Sequence, residues 1–191
     1  MKRIFLLSPA NLGGVRSQRV LNGPTGLDWE LGELFSSISG LYFRGKLQYA
    51  EAFGAQSPLI ITAGFGLMPA HSRIGLDQLK QMAAVPIDAS EARYRDPLQR
   101  DARALDVAAE IVLLGSLATP KYLEPLLHVA GSRLLYPAEF AGLGDMSRGA
   151  LMLRCVRLNR ELAYVRATPG TPHRRSRNLP GSEKPAASPR R

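Results

Sequence analysis

Arg16 follows a double glycine, Gly13-Gly14, at the end of residues 4–16 (IFLLSPANLGGVR). In this stretch a short apolar run stops at Ser8-Pro9, and a polar turn containing Asn11 leads into the glycines. Glycines let backbone N–H groups approach a ligand, and a helix N-terminus favours negative charge. An arginine just inside that helix can grip a phosphate or carboxylate with two parallel hydrogen bonds. An ordinary strand-to-helix turn accounts for the same residues equally well. Arg44, Lys46 and Arg148 are further candidate anion binders, each weighed against a solvated basic surface.

Three acids and bases are candidates for proton transfer: His71, Glu124 and Asp145. His71 lies in a loop after an apolar strand, in the sequence His71-Ser72-Arg73, and histidine is the side chain that titrates nearest neutral pH. Glu124 sits on a helix after Gly115-Ser116. There it can act as a base or hold a ribose, or it can be a solvent-facing acid that favours the helix dipole. Asp145 lies in Gly144-Asp145-Met146-Ser147-Arg148-Gly149, a segment with tight turns. The ligand-binding candidates are Ser8, Asn11, Gly13, Gly14, Arg16, Tyr42, Arg44, Lys46, Gly64, Gly66, Gly115, Ser116, Tyr122, Ser147 and Arg148. Asn11 or Ser116 would read a base or ribose edge.

Several chemistries have no support in the sequence. It contains no GxxxxGK[ST] phosphate loop, no GxGxxG spacing, no HExxH, no CxxC pair and no GxSxG elbow. It therefore points to no cofactor and no metal. The single Cys155 excludes an internal disulfide and a zinc cluster, and its apolar surroundings read as packing.

The elements that would position these residues alternate strand and helix. Residues 3–8 read as a strand and residues 15–21 as a short helix. Residues 41–53 (LYFRGKLQYAEAF) suit an amphipathic helix with Leu41, Leu47, Tyr49, Ala50 and Phe53 on its apolar face and Arg44, Lys46 and Glu51 off it. Residues 58–63 (PLIITA) form a second strand, ended by Gly64-Phe65-Gly66 and a polar loop. Residues 76–84 read as a short helix, residues 86–97 as irregular, and residues 101–110 as a helix before the strand 111–114. Thr119 and Pro120 open a helix that Gly131 stops. Residues 133–136 make a fourth strand, and residues 137–149 a long loop. The runs 151–157 and 161–166 suit a terminal β-hairpin or a helix followed by a strand, with the hairpin favoured.

This alternation predicts a single α/β domain, residues 1–168, with a mainly parallel sheet flanked by helices. In such a sheet the ends at Ser8, Ala63 and Leu114 share one edge, so the loops at 8–16, 64–73 and 115–122 converge. A chain of 191 residues that is 45% hydrophobic is long enough to bury one core. No stretch approaches the apolar run a membrane helix needs, and the apolar run after Met1-Lys2-Arg3 is too short for a signal peptide. A cytoplasmic location and no membrane partner are expected. Residues 169–191 hold six basic residues against Glu183, which is +5 of the net charge of +9. Rich in Pro, Ser, Gly and Arg, this tail is expected to be disordered, and it can contact nucleic acid through phosphate or simply aid solubility.

Three segments carry a resemblance. Residues 41–50 (LYFRGKLQYA), residues 60–69 (IITAGFGLMP), and the pair 111–116 (IVLLGS) and 121–127 (KYLEPLL) resemble, in order and spacing, a bacterial domain family of unknown function. That family is distantly similar to the YaaA-type peroxide-stress proteins, whose Ser-Pro-Ala is matched by Ser8-Pro9-Ala10. The likeness covers about residues 4–150. Many relatives carry a Cys-x-Lys-like pattern in the first loop, and this chain does not. The resemblance implies an α/β fold with a polar pocket and involvement with nucleobases, nucleotides or DNA. The resulting expectation is a protein that binds or acts on a nucleotide or nucleobase, free or within nucleic acid. The compatible enzyme classes are a nucleoside or nucleobase hydrolase, a glycosylase or a transferase. The alternatives are a non-enzymatic DNA-binding or stress-response protein, and a small-molecule sensor without turnover.

Overall fold

The apolar run at the start of the chain becomes the centre of the molecule. In the computed structural model, which describes residues 2–24, 26, 28–117 and 119–169, strand β1 (Arg3–Leu7) lies in the middle of a six-stranded sheet. It pairs in parallel with β3 (Leu59–Thr62) on one side and with β6 (Glu110–Leu114) on the other. β6 pairs in parallel with β7 (Leu134–Pro137). The two edges are antiparallel: β4 (Gly66–Pro69) returns along β3, and β8 (Tyr164–Arg166) runs back along β7. The strand order is β4-β3-β1-β6-β7-β8. A separate ribbon pairs β2 (Asp28–Glu30) with β5 (Arg73–Gly75). The described residues form a single α/β domain.

Every residue from Ile4 to Leu7 and from Ile111 to Leu114 is buried, so both faces of the central strands are covered. That is why these strands read as continuous apolar runs instead of alternating ones. The covering helices are α1 (Val15–Leu21), α2 (Leu31–Ser39), α3 (Leu41–Phe53), α4 (Leu76–Ala83), α5 (Ala92–Arg103), α6 (Pro120–Ala130) and α7 (Asp145–Arg157). Phe5 of β1 meets Tyr49 of α3 edge to face, with ring centroids 5.8 Å apart. The Tyr94 hydroxyl of α5 donates to the Lys121 carbonyl of α6 at 2.9 Å, which ties those two helices together.

α3 and α7 approach so closely that they touch through backbone. A Cβ on Gly45 would lie 2.7 Å from the Gly149 carbonyl oxygen, and one on Gly149 would lie 2.9 Å from that of Leu41. Gly45, which weakens α3 by propensity, is the residue that lets α7 seat against it. Contact of this kind fixes where the first turn of α7 points, and that turn borders a cavity at the strand ends.

The structure departs from the sequence expectation in several places. Residues 137–149 are not one long loop: a 3-10 turn covers Ala138–Phe140, and Asp145, Ser147 and Arg148 lie on the first turn of α7. Residues 92–103 form helix α5, in place of an irregular stretch followed by a helix over 101–110. Tyr94, Leu98 and Ala102 carry the buried face at four-residue spacing, and Glu91 caps the start by accepting from the Arg93 backbone N–H. Pro97 inside this helix removes one backbone donor and disguises the period. Residues 151–157 belong to α7 instead of a hairpin: Arg148, Gly149, Met152 and Cys155 form its buried stripe, and β8 pairs with β7. Residues 66–69 are the edge strand β4 instead of a loop. Among the described residues, no helix is long and apolar enough to cross a membrane. The expected disordered tail is residues 169–191, and all of it after Pro169 lies outside the described residues.

Candidate functional site

The four parallel strands end at one edge, and a cavity of about 750 Å³ opens there. Ser8 at the end of β1 and Thr62 and Ala63 at the end of β3 line it, with Ser116 just beyond β6. The first loop, from Pro9 to Gly14, and the start of α1, including Arg16, make one wall. Phe35 and Ile38 of α2 with Met82 of α4 add an apolar side. Lys121 and Tyr122 from α6 and Asp145 from α7 complete the rim. This is the position at which open α/β sheets place their ligands. The size falls within the usual range of small-molecule sites, roughly 300–1,000 Å³.

Lys46 forms the floor. The sequence places it off the apolar face of its helix, yet it is only 1% exposed. Its ammonium position is fixed by the end of β1: Nζ donates to the Ser8 carbonyl and lies 2.9 Å from Ser8 Oγ. The same atom sits 4.6 Å from the Tyr42 ring centroid and 4.5 Å from that of Phe43. Two aromatic faces and two oxygens replace water, which is how a lysine is tolerated in a core. Burial nevertheless lowers its pKa to about 7, opposed by the negative charge of Asp145. Among the described residues, no carboxylate forms an ion pair with it. At neutral pH this amine is therefore divided between its charged and neutral forms.

Tyr42, one helical turn before Lys46, presents a buried hydroxyl that makes no hydrogen bond of good geometry among the described residues, with Ser8 and Arg148 near it. Burial raises its pKa to about 12, against the counter-effect of Arg148. It stays protonated at neutral pH, a donor on the cavity lining. Tyr122 is likewise raised by burial.

Of the residues singled out in the sequence, Ser8, Asn11, Gly13, Gly14, Arg16, Tyr42, Lys46, Ser116, Tyr122 and Asp145 line the one cavity. The others lie elsewhere. Arg44 is on the exposed side of α3. Gly64 and Gly66 bound the β3–β4 turn, where Gly66, at φ +73°, packs against Asp101. Gly115 packs on Ser8 behind the lining, its Cβ position 3.1 Å from the Ser8 Cβ. Ser147 is exposed on the first turn of α7. Arg148 is buried and turned inward, donating to the Phe140 carbonyl from Nη2 at 3.1 Å and from Nε at 3.3 Å. His71 is exposed and 3.0 Å from the Ser57 hydroxyl. Because β4 runs back along β3, it delivers His71 to the opposite edge of the sheet. Glu124 faces a shallow groove with Arg95, Gln99 and His128. The seven-residue α1 carries no side-chain cap at Gly14, so its dipole adds little at the cavity.

Lys121, Thr62 and the Phe35–Ile38 wall were not singled out in the sequence. Lys121 stands two residues after Thr119, the extended cap residue of α6, and that placement after a strand-end glycine is the signal that marks it. No protein-family model, curated protein or solved structure matches the chain.

Proposed function

We propose that the strand-edge cavity binds a nucleotide or nucleobase and that the chain acts on it there. The observation that carries this reading is one cavity with an apolar side and a cationic side. Phe35, Ile38 and Met82 offer a surface for a planar ring, while Arg16 and Lys121 at the rim offer charge to a phosphate. Asn11, Thr62 and Ser116 supply hydrogen-bonding groups for base or ribose edges. The resemblance to a family linked with nucleobases and nucleotides agrees with this assignment. Hydrolase, glycosylase and transferase chemistry all fit a site with a titrating amine and a protonated phenol. Of His71, Glu124 and Asp145, it is Asp145 that borders the cavity.

A DNA-binding or stress-response role without turnover is the second reading, and it draws on the basic residues after 169. Thermal stabilisation of the full chain by mononucleotides, nucleobases, sugar phosphates and short DNA separates the two. Stabilisation by one nucleotide class at physiological salt, lost in Arg16→Ala/Lys121→Ala, supports the cavity. Stabilisation by DNA alone, vanishing steeply with salt and unaffected by that double substitution, supports the second reading.

A further inference from the structure

We propose that Ser8 is a nucleophile activated by Lys46, and that the cavity carries out acyl transfer from an ester carbonyl of its ligand. The inference needs the cavity but not the nucleotide assignment. A serine hydroxyl is a weak nucleophile unless a base within hydrogen-bond reach removes its proton. Lys46 Nζ is 2.9 Å from Ser8 Oγ. Serine–lysine pairs are one of the recurring forms of the catalytic triad logic.

Three features distinguish this pair from a lysine that merely packs. The amine is held in place by a second hydrogen bond, to the Ser8 carbonyl, so its remaining capacity is directed at Oγ. The groups facing it are Ser8, the Tyr42 and Phe43 rings and the charge of Asp145, and none of them forms an ion pair that would lock it as a cation. The Tyr42 hydroxyl, which makes no hydrogen bond of good geometry among the described residues, lines the same cavity beside Ser8 and is a donor for charge that develops on a carbonyl oxygen.

The chemistry balances with water as the only co-reactant. Ser8 Oγ bonds to the ester carbon while its proton passes to Lys46 Nζ. The carbonyl electron pair moves onto oxygen, which accepts from the Tyr42 O–H. Collapse restores the carbonyl and expels the alkoxide, which takes the proton from the Lys46 ammonium and leaves as an alcohol. Water then attacks the acyl-Ser8, gives a proton to Lys46 and releases the carboxylic acid. The proton returns to Ser8.

A fluorophosphonate probe tests this directly, because an activated serine displaces its fluoride and keeps the label. The full chain is incubated with the probe from about pH 5.5 to about pH 9, and the labelled residue is located by peptide mass. The expected result is a single label on Ser8, with a rate that rises through pH about 7 as Lys46 loses its proton. Lys46→Arg, which keeps the charge but offers no base, lowers the rate about 100-fold or more. Wild-type protein left unlabelled at Ser8 overturns the proposal, as does a folded Lys46→Arg variant labelled at the wild-type rate. A wild-type chain that is stabilised by nucleotides but not labelled refutes the nucleophile and leaves the ligand assignment intact.

Discussion

Replacing Lys46 with Met removes a buried amine and is predicted to flatten the pH dependence of stability. In the unfolded chain this group has its ordinary value of 10.5, and in the folded state about 7. Below pH 7 both states hold the proton and the full cost of burial is present. Between the two values the unfolded chain holds a proton that the native chain has released, so stability rises with pH. At about 1.4 kcal/mol for each pH unit between the two values, the full cost at low pH is about 5 kcal/mol; it is about 4 kcal/mol at pH 7, where half of the native amines have released the proton, and about 2 kcal/mol at pH 9. Met has similar volume and no charge, so the variant escapes this cost. It also leaves the Ser8 carbonyl and hydroxyl without their donor, a loss of about 1–3 kcal/mol for each buried group. The net change at pH 7 is therefore small, and the slope is the diagnostic quantity. Urea unfolding at intervals from pH 7 to 9 should show wild type gaining about 2 kcal/mol and Lys46→Met gaining nothing from this site. Above pH 9 both proteins lose stability, because burial raises the Cys155 thiol and Tyr49 and the unfolded chain loses those protons first. Parallel wild-type and variant curves between pH 7 and 9 would refute the assignment of a depressed lysine.

Three further outcomes follow from the geometry. Gly149→Ala forces a methyl into contact with the Leu41 carbonyl, 2.9 Å away, and should cost about 1–3 kcal/mol, read as a lower Tm. Tyr49→Phe removes the hydroxyl that accepts from the buried Leu162 N–H at 2.8 Å and lies 2.7 Å from the Tyr164 hydroxyl, and should cost about 1–3 kcal/mol in denaturant unfolding. Glu124→Gln and His71→Asn should leave nucleotide-induced stabilisation unchanged, because one faces a separate groove and the other the opposite sheet edge, whereas Arg16→Ala should reduce it.

The central strands are legible in the sequence because buried parallel strands are uninterrupted apolar runs, and β1, β3 and β6 each end in small or turn-forming residues. Their common edge predicts one site, and the cavity opens there. Helix α3 is legible from its period, but the burial of Lys46 is not. A helical pattern assigns a lysine to solvent, and the carbonyl and hydroxyl of Ser8, 38 residues earlier, with the Tyr42 and Phe43 rings, supply the partners that let it turn inward. Arg148 shows the same limit: it reads as an anion gripper in a loop, yet it lies on a helix, buried, donating to the Phe140 carbonyl and pairing with Asp145. His71 misses the cavity through topology, since a short strand after a glycine turn carries it across the sheet. Pro97 hides α5, and the apolar residues of α7 suit a strand or a helix until Gly149 is seen to need close contact with α3.

The most direct test of a ligand cavity floored by a titrating lysine is an NMR titration of the side-chain carbons next to the amines of Lys2, Lys46, Lys80, Lys121 and Lys184. The Lys46 signal should titrate near pH 7 and should shift when a mononucleotide is added. A Lys46 signal that titrates with the surface lysines and does not respond to any nucleotide would contradict the account.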